Sequence, residues 1–167
     1  MAKIVFVVAQ KDFRDEELFS PKEAVEKAGH AAVIASKKKG SCTGMLGAKV
    51  AAEIELAGVK AENFDALVFV GGSGSEAYFK DPIALGIAKE FAKAGKLVCA
   101  ICIAPMILAN AGLLKGKKAT CAAYSKEIRA KGAEYTGNLM EIDGKIITGR
   151  GPAAAREFGA KIAELLK

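Results

Sequence analysis

One thiol in the chain stands where a nucleophile can work. Ala100-Ile101-Cys102-Ile103-Ala104-Pro105 reads as a strand end, one residue, and a helix start, with small residues two before and two after the cysteine. A nucleophile elbow has this form, because backbone and helix pass close together at so tight a turn. A thiol held there lies near exposed helix N–H groups, which favour its thiolate. The competing reading is a buried structural cysteine, the usual state of free thiols. Gly71-Gly72, after another apolar run, lets backbone N–H groups approach a ligand and stabilise an oxyanion. The plainer alternative is a simple turn.

A cysteine nucleophile usually works with a histidine. The only histidine is His30, after Gly29 and at the amino end of a predicted strand, across the sheet from the elbow. It reads as a surface or turn residue, so neither a Cys–His dyad within one subunit nor a Ser–His–Asp triad is available. The acid or base must then be a carboxylate, and Asp12, Asp15, Glu16 and Glu17 lie on the right edge. Glu17 is the choice, one turn before a predicted helix. A carboxyl buried beside a thiolate has its pKa raised and can hold and deliver a proton near neutrality.

Other motifs fail on context. Gly72-Ser73-Gly74-Ser75-Glu76-Ala77 matches a dinucleotide fingerprint, but Cys102 stands where the acidic residue is expected. No Gly-Lys-Ser/Thr follows to make a phosphate loop. Cys99 and Cys102 spell C-x-x-C, yet Cys99 lies inside an extended run, where residues three apart are about 10 Å apart, beyond disulfide reach. The cysteines are not in two spaced pairs, so no metal site is expected. No cofactor is expected either.

The elements that must position these residues alternate. Lys3 to Ala9, Ala31 to Ser36, Asp65 to Val70 and Leu97 to Ile101 read as buried strands. Ser20-Pro21-Lys22-Glu23 forms a capping box with proline at the first helical position, which predicts a helix from Pro21 to Ala28, ended by Gly29. Further helices are predicted from Pro82 to Ala94, from Pro105 to Gly112, over Ser125 to Lys131 and from Pro152 to Leu166. Lys37 to Leu56 suggests a small hairpin, and Asp143-Gly144 marks another. Strands joined through helices imply an α/β fold with a mostly parallel sheet and helices on both faces. Ligands of such a sheet bind beyond the carboxyl ends of its strands, where Gln10 to Glu17, Gly71 to Glu76 and Cys102 arrive. No linker or repeat is visible in the 167 residues, so one domain over 1–167 is expected.

Composition removes other classes of function. Apolar residues are 51% and charged residues 26%, the profile of a globular protein. The net charge is +6, but only Arg14, Arg129, Arg150 and Arg156 among the 25 basic residues are arginine. The lysines are scattered apart from Lys37-Lys38-Lys39, and no aromatics interleave with them, so nucleic-acid binding is not expected. The longest uncharged run, Leu97 to Leu114, is broken by Pro105, Asn110 and Gly112, which argues against a membrane span. The chain opens directly on a strand with no signal-peptide pattern, so a cytoplasmic location with reduced cysteines is expected.

Taken together, four segments carry a specific likeness: Glu17-Leu18-Phe19-Ser20-Pro21, Ala66 to Gly72, Ala100-Ile101-Cys102 and Gly149-Arg150-Gly151-Pro152. Over nearly its whole length the chain resembles the ThiJ/PfpI superfamily, which contains the Parkinson-disease protein deglycase and the archaeal intracellular proteases. The resemblance implies a flavodoxin-like three-layer sandwich, assembled as a dimer or larger homo-oligomer. It further implies that Cys102 is the nucleophile, Glu17 its protonated carboxyl partner, and Gly72 and Ile103 the donors to an oxyanion. The protease-like branch has histidine where Ile103 stands, and Glu76 matches the acid that this branch donates across a subunit interface. The deglycase branch has a histidine in the segment that here reads Thr120-Cys121-Ala122-Ala123. The expected function is therefore a cysteine-dependent enzyme acting on a small aldehyde or dicarbonyl, or on a glycated protein. Its rivals are a redox sensor or chaperone-like stress protein with an oxidisable Cys102, an oligomer-dependent peptidase, and an inert scaffold.

Overall fold

Four apolar runs rich in β-branched residues become adjacent central strands. In a computed structural model, which describes residues 1–167, the chain opens with β1 (Lys3–Val7), β2 (Lys11–Phe13), α1 (Asp15–Lys27) and β3 (Ala31–Ser36). A hairpin of β4 (Gly40–Gly44) and β5 (Lys49–Ala52) follows, then β6 (Ile54–Glu55), β7 (Ala66–Phe69), α2 (Pro82–Lys93) and β8 (Leu97–Ile101). The last third holds α3 (Pro105–Asn110), β9 (Lys118–Ala119), α4 (Ser125–Ala130), β10 (Glu134–Tyr135), β11 (Met140–Asp143), β12 (Ile146–Gly149) and α5 (Ala155–Leu165).

The main sheet runs β11-β12-β8-β7-β1-β3-β6. Every neighbouring pair is parallel except the β11–β12 hairpin at one edge. This is the α/β sandwich anticipated from the alternation of strands and helices. One face is covered by α1 and α5, through Leu18, Val25, Phe158 and Ile162. The other is covered by α2, α3 and α4, through Ile87, Phe91, Ile107, Leu108 and Ile128. Buried on both sides, the central strands read as unbroken apolar runs rather than alternating ones. Two small sheets, β2-β4-β5 and β9-β10, sit apart from it.

Three local expectations need correction. The first helix begins at Asp15 rather than Pro21, so Glu17 lies in its first turn and Pro21 inside it. Asp15, Glu16 and Glu17 place negative charge where the helix N–H groups are unpaired. Pro21 has no N–H to give the Glu17 carbonyl, and the helix tolerates this where its proline packs on α5: a Cβ on Gly159 would collide with Pro21. The β11–β12 turn is also one residue later than expected. Asp143 pairs with Ile146, so Gly144-Lys145 forms the loop, and the Asp143 carboxylate instead accepts from the Lys118 N–H at 2.9 Å. Finally, His30 is buried rather than on the surface. Its Nδ1 accepts from the Ala2 N–H at 3.1 Å, and its Nε2 faces the Ala163 carbonyl at 3.4 Å, tying the N-terminus to α5.

Candidate active site

The turn after β8 is forced by a residue that ordinarily avoids it. Cys102 has φ +65°, one of three non-glycine residues in the left-handed region. That conformation costs energy for any residue with a Cβ and persists only where the surroundings impose it. They do so here through both of its peptide groups. Its N–H donates to the Gly149 carbonyl at 2.9 Å, and its carbonyl accepts from the Ala122 N–H at 2.7 Å. Pro105 then begins α3. Cys102 is thus an elbow held between the end of β12 and the segment after β9, with its side chain half-buried.

Glu17 reaches the same point from α1. Its side chain is wholly buried, and neither carboxyl oxygen has a well-formed hydrogen bond. Burial raises its pKa from 4.5 to about 7, while the Cys102 thiol, the Arg14 charge and the Gly71 N–H pull the other way. The carboxyl therefore changes charge near neutrality.

Gly71 makes the meeting of these two side chains sterically feasible. A Cβ at Gly71 would collide with Glu17 Oε1, with the Cys102 Cβ and with the Ile101 carbonyl. Its own carbonyl accepts from the Arg14 N–H at 2.9 Å, fastening the loop to the start of α1. Gly72 has φ +101° and lies against the Arg14 backbone, where a side chain would not fit.

The N–H groups of Gly72 and Ile103 favour the Cys102 thiolate, yet burial and the Glu17 charge outweigh them and push the thiol up to about 11. A freely ionised thiolate, the expectation from helix-end electrostatics alone, is therefore not the resting state while Glu17 is charged. Cys99 lies wholly inside β8, where burial raises its pKa strongly, and all four cysteines are unpaired.

The pair opens into a cleft of about 480 Å³. Of the residues singled out in the sequence, Cys102, Gly72, Ile103 and Glu76 line it. Gly71 and Glu17, both buried, lie against Cys102 but do not line the cleft. The cleft also takes in Arg14, Met45, Tyr124 and Pro152, which sequence reasoning did not single out as site residues. Met45 is brought in by the β4–β5 turn, which the buried Asp15 carboxylate holds through the Leu46 and Ala48 N–H groups, both at 2.9 Å. Tyr124 donates to Glu76 at 3.3 Å. No three His, Cys, Asp or Glu side chains converge as metal ligands.

A strained cysteine elbow over a buried glutamate, on a parallel sheet, narrows the families to compare. The family model described as DJ-1/PfpI matches residues 2–165. The chain belongs to the DJ-1/PfpI family. As a member it is 40% identical over 170 residues to an uncharacterised protein of Methanocaldococcus jannaschii, covering 99% of this chain and 83% of that one. It is 34% identical over 166 residues to deglycase PfpI of Pyrococcus furiosus, covering 99% of each. A ThiJ/PfpI domain protein from Brachyspira murdochii superimposes with a TM-score of 0.96 at 32% identity, over 98% of this chain and 95% of that one. The family resemblance and the fold read from the residues are therefore as expected.

Proposed function

We propose that this DJ-1/PfpI protein is a cysteine-dependent enzyme of the deglycase type, acting on a small α-oxoaldehyde such as methylglyoxal or on its adducts with protein side chains. The observation that carries the reading is the placement of the Cys102 thiol beside a buried carboxyl that titrates at about 7. Similarity to deglycase PfpI supports the substrate class.

The chemistry follows from that pairing. Ionised Glu17 takes the Cys102 proton as the sulfur adds to the aldehyde carbon. Charge grows on the former carbonyl oxygen, and in this reading the Gly72 and Ile103 N–H groups, which lie beside the Cys102 sulfur, donate to it. Protonated Glu17 neutralises that oxygen and is left ionised, giving a hemithioacetal. It then removes the proton from the carbon bearing sulfur and returns it to the adjacent carbon, while the hydroxyl proton passes to the neighbouring oxygen, leaving a lactoyl thioester on Cys102. Water cleaves the thioester, releasing lactate and restoring the thiol. The sum is methylglyoxal plus water to lactic acid, with no cofactor and no net redox change. With Ile103 following the cysteine, no histidine is available there to protonate an amine leaving group, which disfavours peptide cleavage.

Graded alkylation tests this reading. Iodoacetamide at Cys102, mapped by mass spectrometry, is expected to remove glutathione-independent lactate formation in proportion to labelling. Full activity with Cys102 fully labelled would overturn it.

A second reading rests on the unpartnered Glu17 oxygens. A protonated carboxyl there can donate to a Cys102 sulfinate, so the same pair suits an oxidisable sensor.

A further inference from the structure

The residue before α1 is an unusual choice for that place. Helix starts favour Ser, Thr, Asp or Asn, whose oxygens accept from unpaired N–H groups, and a cation there opposes the helix dipole. Arg14 occupies the position and makes no side-chain cap. Its backbone is fastened beside the reactive pair instead. The Arg14 N–H donates to the Gly71 carbonyl at 2.9 Å, and a Cβ on Gly71 would strike both Glu17 and Cys102. The Arg14 side chain lines the cleft together with Cys102. Glu16 holds its guanidinium through Nε at 2.7 Å and a terminal nitrogen at 3.0 Å. The cation is therefore fixed in place by an anion that lies one residue before Glu17.

The coupling to the site shows from both ends. After burial and the Cys102 thiol, the Arg14 charge favours the ionised form of Glu17 and the Glu16 charge opposes it. The Arg14 pKa is raised first by the Glu16 hydrogen bond, and the charges of Glu17 and Cys102 add to this. The other charged groups near Glu17 are bound elsewhere or exposed. Asp15 accepts from the Leu46 and Ala48 N–H groups. From the loop after β7, Glu76 accepts from the Tyr124 hydroxyl at 3.3 Å. On α5, which packs against α1, Arg156, Glu157 and Glu164 are exposed and Lys161 is partly so, while Phe158, Gly159 and Ile162 are buried. Strand β3 carries no charge.

We propose that Arg14 is a positioning residue of this site: aimed by Glu16, its guanidinium supports the negative charge shared by Cys102 and Glu17 and so sets how readily the thiol reacts near neutrality. This rests on the Cys102–Glu17 reading proposed above. The pair must lose one proton before the sulfur can attack, whichever of the two side chains then carries the charge. A fixed cation nearby eases that loss and a fixed anion hinders it, so Arg14 and Glu16 pull in opposite directions. Both are partly exposed, so salt weakens the effect.

The experiment follows alkylation of Cys102 by the neutral reagent iodoacetamide from pH 5 to 9 at low salt. Peptide mapping restricts the readout to that thiol. The wild type should show a step in reactivity near pH 7, where Glu17 titrates. Arg14→Gln should move the midpoint up by about half a unit or more, slowing the reaction about threefold below it. Glu16→Gln, whose amide oxygen can still hold Arg14, should move the midpoint down by about as much. Arg14→Lys keeps the charge and should stay near the wild type, and about 0.5 M salt should shrink both displacements. Midpoints that move the same way in the two glutamine variants, or in neither, overturn the proposal alone. So does Arg14→Lys behaving like Arg14→Gln. A wild type without the step, or a Glu17→Gln variant that keeps it, overturns the Cys102–Glu17 reading and the proposal with it.

Discussion

Glu17 and Cys102 meet across the space left by the missing side chain of Gly71, where the neutral thiol favours the Glu17 carboxylate and that carboxylate disfavours the thiolate. Glu17 is pushed up to about 7 by burial, and the Cys102 thiol to about 11 by burial first and the Glu17 charge second. Around neutrality one of the two is ready to take the other's proton. That is a useful resting state for a nucleophile that must ionise only as it attacks.

Glu17→Gln separates catalysis from stability. Removing the proton carrier should lower kcat by about 10²-fold or more. The folded pKa of Glu17 lies above its ordinary 4.5, so the folded state binds the extra proton between those values. The resulting stabilisation is fully present below pH 4.5 and lost as pH rises through 7. Over that window the wild type should lose about 3 kcal/mol. Denaturant unfolding from pH 4 to 8 should show this slope in the wild type and a flatter one in Glu17→Gln. Equal slopes would place the carboxyl at an ordinary pKa.

Gly71→Ala should fail in a different way. Its Cβ must displace Glu17, Cys102 or the Ile101 backbone, at a cost of about 1–3 kcal/mol. A chemical denaturation midpoint unchanged from wild type would show that the loop has room after all. The variant is also expected to react more slowly with iodoacetamide at Cys102.

The elbow was legible because it is local: small residues flank Cys102 within five positions, and an apolar strand leads straight into it. The central strands were legible for the same reason, each being an uninterrupted run. Glu17 could be chosen because histidine was eliminated and the acidic residues between the first strand and Pro21 were few. The start of α1 was misplaced because Ser20-Pro21-Lys22-Glu23 carries a convincing cap, whereas the true start rests on acidic residues and on packing against Gly159, 138 positions beyond Pro21. Met45 and Tyr124 left no signal, since separate loops carry them to the cleft and only tertiary contacts decide where those loops lie. The role of His30 depends on Ala2 and Ala163 together, which no local pattern connects.

His30→Ala is expected to loosen the molecule without touching the chemistry. Losing the Ala2 and Ala163 contacts should cost about 1–2 kcal/mol. Thermal unfolding should shift downward while kcat for methylglyoxal stays within about twofold of wild type. A large fall in kcat would mean that this end of the molecule is coupled to the elbow.

Peroxide distinguishes the two readings of the pair. Under mild treatment Cys102 should oxidise first, because Cys42, Cys99 and Cys121 are buried and it alone is half-buried in an open cleft. Peptide mass mapping should locate a two-oxygen gain there, while modification spread over all four cysteines would argue against a sensor.

The measurement that bears most directly on the central claim is lactate production from methylglyoxal in glutathione-free buffer, by wild type and by Cys102→Ser at equal concentration. The serine variant keeps the shape of the elbow and removes the sulfur. Steady lactate formation by the wild type and none above buffer by Cys102→Ser is the predicted result. Equal rates in the two, or no lactate from either, would contradict a Cys102-dependent activity on this substrate.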